Sequence, residues 1–249
     1  MSETQVGLAL SGTHATITLA TESGLNVMSS RVLRALREVV GQVAGRSEVR
    51  TTVLCGEGKV FAAGADIEEM ASFGIEEARS YGELGQSVLG EVASLRSITV
   101  AAMNGAALGG GLELALACDF RIAVKSAKVG LPETSLGLIP GWGGIGRLST
   151  LIGPVAAKKL YLSALPISAE QGVPLGLIDE VLNAPEDLMP RVVAFCKSFR
   201  RGAPQAVALT KRAFATGDDL SAFADCFATD NAREGIAAFL QKRPAAWME

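Results

Sequence analysis

The sequence predicts an α/β fold in which repeated strand–strand–helix units form the core and an all-helical tail follows. Three observations predict it. Short apolar runs of strand character recur up to Val124 and alternate with helical patterns. After about residue 145 strand patterns nearly vanish. Finally, 49% of the 249 residues are hydrophobic, which is ample for a large core. Paired strands before each helix set this order apart from a simple strand–helix–strand series.

Each element has a local reason. Residues 6–10 and 15–20 alternate apolar and polar positions around Ser11-Gly12-Thr13-His14, as a hairpin does, with His14 in the turn. Ser29 or Ser30 caps a helix to about Ala44, with Val32, Leu33, Leu36, Val39, Val40 and Val43 at helical spacing. Thr51–Cys55 and Ile98–Met103 read as buried strands, with a mostly polar helix over about 75–95 between them. Gly111–Cys118 fits a short buried helix and Asp119–Val124 a strand after it. Helical segments follow at about 146–151, 154–162, 168–173, 186–200, 204–215, 219–227 and 230–240, punctuated by Pro166, Pro174, Pro185, Pro190 and Pro204. The chain therefore divides into a core, residues 1–190, and a helical region, residues 191–249. Phe195, Phe199, Phe214, Phe223, Phe227, Phe239 and Trp247 put seven of the eleven Phe and Trp residues in that last region. A tail so apolar packs on something, its own core or a neighbouring subunit.

Composition excludes several classes of function. The net charge is −3 and no basic run exceeds Lys158-Lys159 or Arg200-Arg201, so nucleic acid is not an expected partner. No apolar stretch approaches the ~20 residues of a membrane span. Met1-Ser2-Glu3-Thr4-Gln5 has neither the basic region nor the apolar core of a signal peptide, and a cytoplasmic location is expected. Cys55, Cys118, Cys196 and Cys226 are widely spaced and read as reduced, mostly buried thiols. With His14 the single histidine, neither a metal site nor a Ser-His-Asp triad is expected.

The chemistry lies in two glutamates placed against glycine-rich backbone. Glu113 lies in Leu108-Gly109-Gly110-Gly111-Leu112-Glu113, and Glu133 in Leu131-Pro132-Glu133, ahead of Gly141-Trp142-Gly143-Gly144. Apolar surroundings raise a carboxyl pKa toward neutrality, which suits general acid–base work. A further glycine-bearing loop, Phe61-Ala62-Ala63-Gly64-Ala65-Asp66-Ile67, carries only small side chains at Ala62–Ala65. If the N–H groups of Ala65 and Gly110 converge on one oxygen, they stabilise an enolate. Each piece alone has a plainer explanation: a tight turn, close packing, a first-turn charge. Their order and spacing together point to proton transfer beside an activated carbonyl.

At these residues the chain resembles the enoyl-CoA hydratase/isomerase (crotonase) family, from Thr16-Ile17-Thr18-Leu19 and Leu25-Asn26 to Glu234-Gly235-Ile236-Ala237 and beyond. The resemblance implies a spiral of ββα units with C-terminal helices that drive trimer or hexamer formation. It implies that Ala65 and Gly110 supply oxyanion-hole amides, that Glu113 and Glu133 are the catalytic carboxyls, and that Leu25, Ala63, Asp66, Ile67 and Gly141 line a coenzyme A crevice. Phe239 and Lys242, near the end of the tail, would approach the coenzyme A of an adjacent subunit. Coenzyme A would enter as part of the substrate, with no separate cofactor. Two carboxyls imply syn hydration of a trans-2-enoyl-CoA. Two other readings stand beside it: a related reaction such as double-bond isomerisation, and a non-catalytic scaffold or RNA-binding protein. Four positions depart from the family's common pattern. Ser23 and Glu68 stand where basic residues commonly help bind the coenzyme A phosphates, leaving Lys59, Lys242 and Arg243 as substitutes. Leu131 and Trp142 replace polar and small residues, and would narrow or dry the acyl end of the pocket.

Overall fold

The computed structural model describes residues 3–248; Met1, Ser2 and Glu249, the first two part of the N-terminal segment read above, lie outside the described residues. In chain order the elements are β1 (Gln5–Ser11), β2 (His14–Ala20), β3 (Val27–Met28), α1 (Ser30–Ala44), β4 (Thr51–Gly56), β5 (Val60–Ala62), β6 (Gly64–Ala65), α2 (Ile67–Met70), α3 (Ile75–Ala93), β7 (Ile98–Met103), β8 (Ala106–Leu108), α4 (Gly110–Leu116), β9 (Phe120–Val124) and β10 (Lys128–Gly130). A 3-10 turn at Pro132–Leu136 follows, then α5 (Gly144–Ile152), α6 (Pro154–Ser163), β11 (Ile167–Ser168), α7 (Ala169–Gly172), β12 (Glu180–Leu182), α8 (Leu188–Ser198), α9 (Pro204–Thr216), α10 (Asp219–Cys226) and α11 (Asp230–Leu240).

Three times the chain lays one strand in each of two sheets. β4, β7 and β9 sit side by side in a six-stranded sheet of order β1-β2-β4-β7-β9-β12, and their successors β5, β8 and β10 in a second sheet of order β11-β10-β8-β5. Within each set the strands are parallel, so each step advances the chain along a spiral. The corner between β7 and β8 is tight: a Cβ on Gly105 would lie 2.2 Å from the Lys59 carbonyl oxygen. β4 and β7 read as near-continuous apolar runs because both faces are covered; every residue of β7 is buried. α4 lies inside the spiral with all seven residues buried, which carries Glu113 into the interior.

Most elements match the sequence expectation. Ser29 is the cap of α1, its side chain accepting from the Val32 N–H at 3.2 Å. His14 does not sit in the turn. Only Gly12 and Thr13 form it, and His14 opens β2 opposite Ser11, half-buried and bonded through Nδ1 to Thr51 Oγ1 on β4. Strands also continue after residue 145: β11 and β12 close the far edges of the two sheets. Cys118 and Cys196 are buried, Cys55 and Cys226 half-buried, and all four are free thiols.

Residue 190 falls inside α8, whose Leu188, Val192 and Cys196 join the main core. Of this stretch, Phe199 stacks on Phe120 of β9 and Phe195 meets the same ring edge-on. Beyond α8 the tail is tied down by polar contacts. Arg50 donates to the carbonyls of Trp247, Arg200 and Gly202, and Lys211 pairs with Asp119 at 2.7 Å. A cavity of about 850 Å³ lies between this tail and the core, lined by Arg50, Leu95, Val207 and Trp247 among others; it holds neither glutamate. The outer tail faces are apolar and open: Phe214 is 89% exposed and Phe239 83%, with Leu220, Phe223, Phe227 and Leu240 also exposed. Among the described residues no helix is long and apolar enough to cross a membrane.

Candidate active site

Glycine makes room for both carboxyl groups. Gly109 turns the chain into α4 with φ +53°, and neither of the next two residues has space for a side chain. A Cβ on Gly111 would stand 2.2 Å from the Ala62 carbonyl oxygen; one on Gly110, 2.2 Å from the Trp142 ring. Glu113, one turn on, is 2% exposed. Its Oε1 accepts the backbone N–H of Trp142 at 2.8 Å and that of Gly144 at 2.7 Å. Gly144 must be glycine for this, since a Cβ there would lie 2.7 Å from Glu113 Cγ. Burial pushes the Glu113 carboxyl up from its ordinary pKa, while the Gly144 and Trp142 amides and the Arg147 charge hold it back.

Glu133 stands in the Pro132–Leu136 turn, which Pro132 starts and Gly137, at φ +74°, ends. Its carboxyl lies over Gly109, where a Cβ would be 3.0 Å from Oε1. Its Oε2 is buried without a hydrogen-bond partner. Burial pushes Glu133 up to about 7; its own backbone N–H opposes the shift and the neighbouring Glu113 charge adds to it. Two carboxyls thus meet at one place in unequal surroundings. One faces donors that favour the ionised form; the other keeps its proton near neutrality.

The glycine loop before α2 reaches the same place. β3 and β6 pair in parallel, Met28 opposite Ala65. Gly64 presses on the start of α4: a Cβ on it would lie 3.4 Å from Gly110 N and 2.8 Å from the Leu108 carbonyl oxygen. Ala65 and Gly110 are therefore on neighbouring segments. Asn26, fully buried, braces this region by donating from Nδ2 to the carbonyls of Glu57, Val60 and Phe61. Leu25, Ala63 and Ile67 are exposed beside it, and Gly141, also exposed, lies against Gln86 of α3. The Asp66 side chain accepts the N–H groups of Glu68 and Glu69 and so caps α2. Gly24 and Gly58 cross so closely that the Leu25 segment touches Lys59. Phe239 and Lys242 do not join this cluster within the chain; they lie at the end of α11, whose main packing partner is α9.

Trp142 takes a position that the sequence does not announce. Its ring is 3% exposed and fills a slot between α3 and α4. A Cβ on Gly85 of α3 would fall 2.1 Å from its Cδ1, and Gly110 of α4 bounds the other side. Tyr81 meets the ring edge-on, centroids 5.4 Å apart, and its hydroxyl donates to the Met28 carbonyl at 2.5 Å while accepting the Asp66 N–H at 3.3 Å. Arg147 donates to the Trp142 carbonyl at 2.8 Å. Tyr81, Arg147, Asn26 and Tyr161, whose hydroxyl donates to the Gly144 carbonyl, are supports that the sequence reading missed. No spacing rule reveals which backbone carbonyl a polar tip will meet.

The chain is similar to known proteins over nearly its whole length. A family profile described as enoyl-CoA hydratase/isomerase matches residues 11–249. A short-chain-enoyl-CoA hydratase of Clostridium acetobutylicum is 37% identical to the chain, covering 98% of it and 97% of its own length. A crotonyl-CoA hydratase of Syntrophomonas wolfei is 39% identical over 89% of each chain. The crystal structure of an enoyl-CoA hydratase from Bacillus anthracis superposes with a TM-score of 0.88 at 34% identity, covering 98% of this chain and 99% of that one.

Proposed function

Because the chain belongs to the enoyl-CoA hydratase/isomerase family, we propose that it is an enoyl-CoA hydratase, a hydro-lyase acting reversibly on trans-2-enoyl thioesters of coenzyme A. The observation that carries this reading is the unequal pair of carboxyls beside the Gly64–Ala65 and Gly109–Gly110 segments. Glu113, steadied by two amides, takes a proton from water as the water oxygen bonds to the β-carbon. The double-bond electrons shift onto the thioester oxygen, where the Ala65 and Gly110 N–H groups stabilise the enolate. Glu133, protonated near neutral pH, delivers its proton to the α-carbon on the same face. The added atoms sum to one water, and the two glutamates exchange roles in the reverse direction. No separate cofactor enters this scheme.

Leu25, Ala63, Asp66, Ile67 and Gly141 form the crevice for coenzyme A on this reading, with Lys59 packed against Gly24 beside the Leu25 segment. A short acyl group fits best: Trp142 fills the space behind Gly110, and the two relatives above are named for short-chain and crotonyl substrates. The open apolar face of the tail supports a homotrimer, single or doubled, in which residues 191–249 serve assembly and Phe239 and Lys242 reach a neighbour's coenzyme A. Four free thiols suit the reducing cytoplasm.

The test is loss of enoyl-thioester absorbance across a chain-length series, with product identification and a 3-enoyl-CoA control. Glu113→Gln and Glu133→Gln are each expected to lose about 10²–10⁴ of the hydration rate. Near wild-type turnover in either variant would reject the two-carboxyl mechanism; faster conversion of the 3-enoyl thioester would make the chain an isomerase.

A further inference from the structure

The chain has two tyrosines, and both support the site. Tyr81 supports the loop of Ala65 and Asp66. Tyr161, on α6, touches the loop that cradles Glu113 and the turn that carries Glu133. Its hydroxyl donates to the Gly144 carbonyl, and the Gly144 N–H in turn donates to Glu113 Oε1 at 2.7 Å. Its own backbone carbonyl accepts the hydroxyl of Thr134, the residue after Glu133, at 2.9 Å. The ring between these two contacts is 7% exposed, so its position is set by packing. We infer that Tyr161 is a positioning residue that fixes the separation of Glu113 and Glu133, its phenol gripping the amide cradle of one and its backbone the turn of the other.

The inference rests on the reading of Glu113 and Glu133 as the catalytic pair. Two features strengthen it. Burial, with the charges of both glutamates, pushes the Tyr161 phenol above its ordinary pKa, so it stays a hydrogen-bond donor wherever the enzyme works. The cradle is also held symmetrically: Arg147 grips the Trp142 carbonyl as Tyr161 grips that of Gly144. Both residues whose N–H groups face Glu113 are thus tied down through their own carbonyls, which fixes where those N–H groups point.

Tyr161→Phe keeps the ring and removes the phenol. A misplacement on the order of 1 Å costs about 10²-fold in rate, so kcat is expected to fall about 10- to 100-fold with KM within about threefold of wild type. Released from this bond, Gly144 aims its N–H less well at Glu113, the carboxylate loses support, and the acid limb of the kcat–pH profile moves to higher pH. A folded Tyr161→Phe enzyme with wild-type kcat and an unmoved acid limb would overturn the inference, as would a loss confined to Tm. Thr134→Val releases the other grip and carries the test if Tyr161→Phe does not fold: kcat is expected to fall again. The two variants combined should lose less than the product of their separate losses, and simple multiplication would overturn the single-clamp assignment. Glu113→Gln in parallel separates the premises. If it retains activity the catalytic pair is misassigned; if it is dead while Tyr161→Phe is unaffected, only the clamp is lost.

Discussion

In Glu113 one carboxylate oxygen meets two backbone N–H groups, whereas Glu133 Oε2 is buried and meets none. That difference has two pH signatures. With Glu133 as proton donor, hydration is expected to fall as pH rises through about 7, where this group loses its proton. A rate flat from pH 6 to 9 would exclude Glu133 as the acid. The second signature is in stability. A carboxyl whose folded pKa lies above its unfolded value binds the proton more tightly in the native state. Its contribution is therefore complete below about 4.5 and is lost as pH rises through about 7. Glu133→Gln, which never ionises, should gain in Tm over wild type between pH 5 and pH 8; a constant difference would reject the raised pKa. Both glutamates were legible in the sequence because glycines flank them, and the structure gives those glycines a purpose: Gly109 and Gly144 are where the carboxyls need backbone without a Cβ. Tyr161 and Arg147 were not legible, since their effect depends on where a polar tip ends after folding.

Among elements, the spacing of α3 and α4 depends on one side chain. Trp142 separates them, and Gly85 and Gly110 are the flat spots that admit its ring. Gly85→Ala would place a methyl group 2.1 Å from a ring that has no room to retreat, and overpacking of this kind costs about 1–3 kcal/mol. Denaturant melts should show that loss, and hydration should weaken with it because the same ring bears on Gly110; an unchanged midpoint would mean that the slot is loose. The long elements were readable in advance. α1 carries a strict apolar stripe and β7 a buried run that is apolar but for Thr99. The strands β5, β6, β8, β10, β11 and β12 were not, because each has only two or three residues, too few to show a period. Their existence depends on partners remote in sequence, as when Val129 of β10 pairs with Ala107 of β8.

At the scale of the whole molecule, the tail presents two faces of different chemistry. The inner face is held by polar ties such as Arg50 to the Trp247 carbonyl, while the outer face leaves Phe214, Phe223 and Phe239 open. Exposed aromatic surface of this extent calls for a partner, and a second or third copy is the proposed one. Light scattering should return about three or six times the 25.8 kDa of one chain at micromolar concentration. A single species of monomer mass would end both the trimer and the shared coenzyme A site. The two tryptophans also divide between the two regions, Trp142 in the slot beside Glu113 and Trp247 at the end of the tail. Emission from Trp142, almost sealed from water, reports events beside Glu113, and emission from the half-buried Trp247 reports the docking of the tail. Replacing either indole with phenylalanine leaves a single fluorophore, so ligand capture and loosening of the tail register as separate optical signals without any added label.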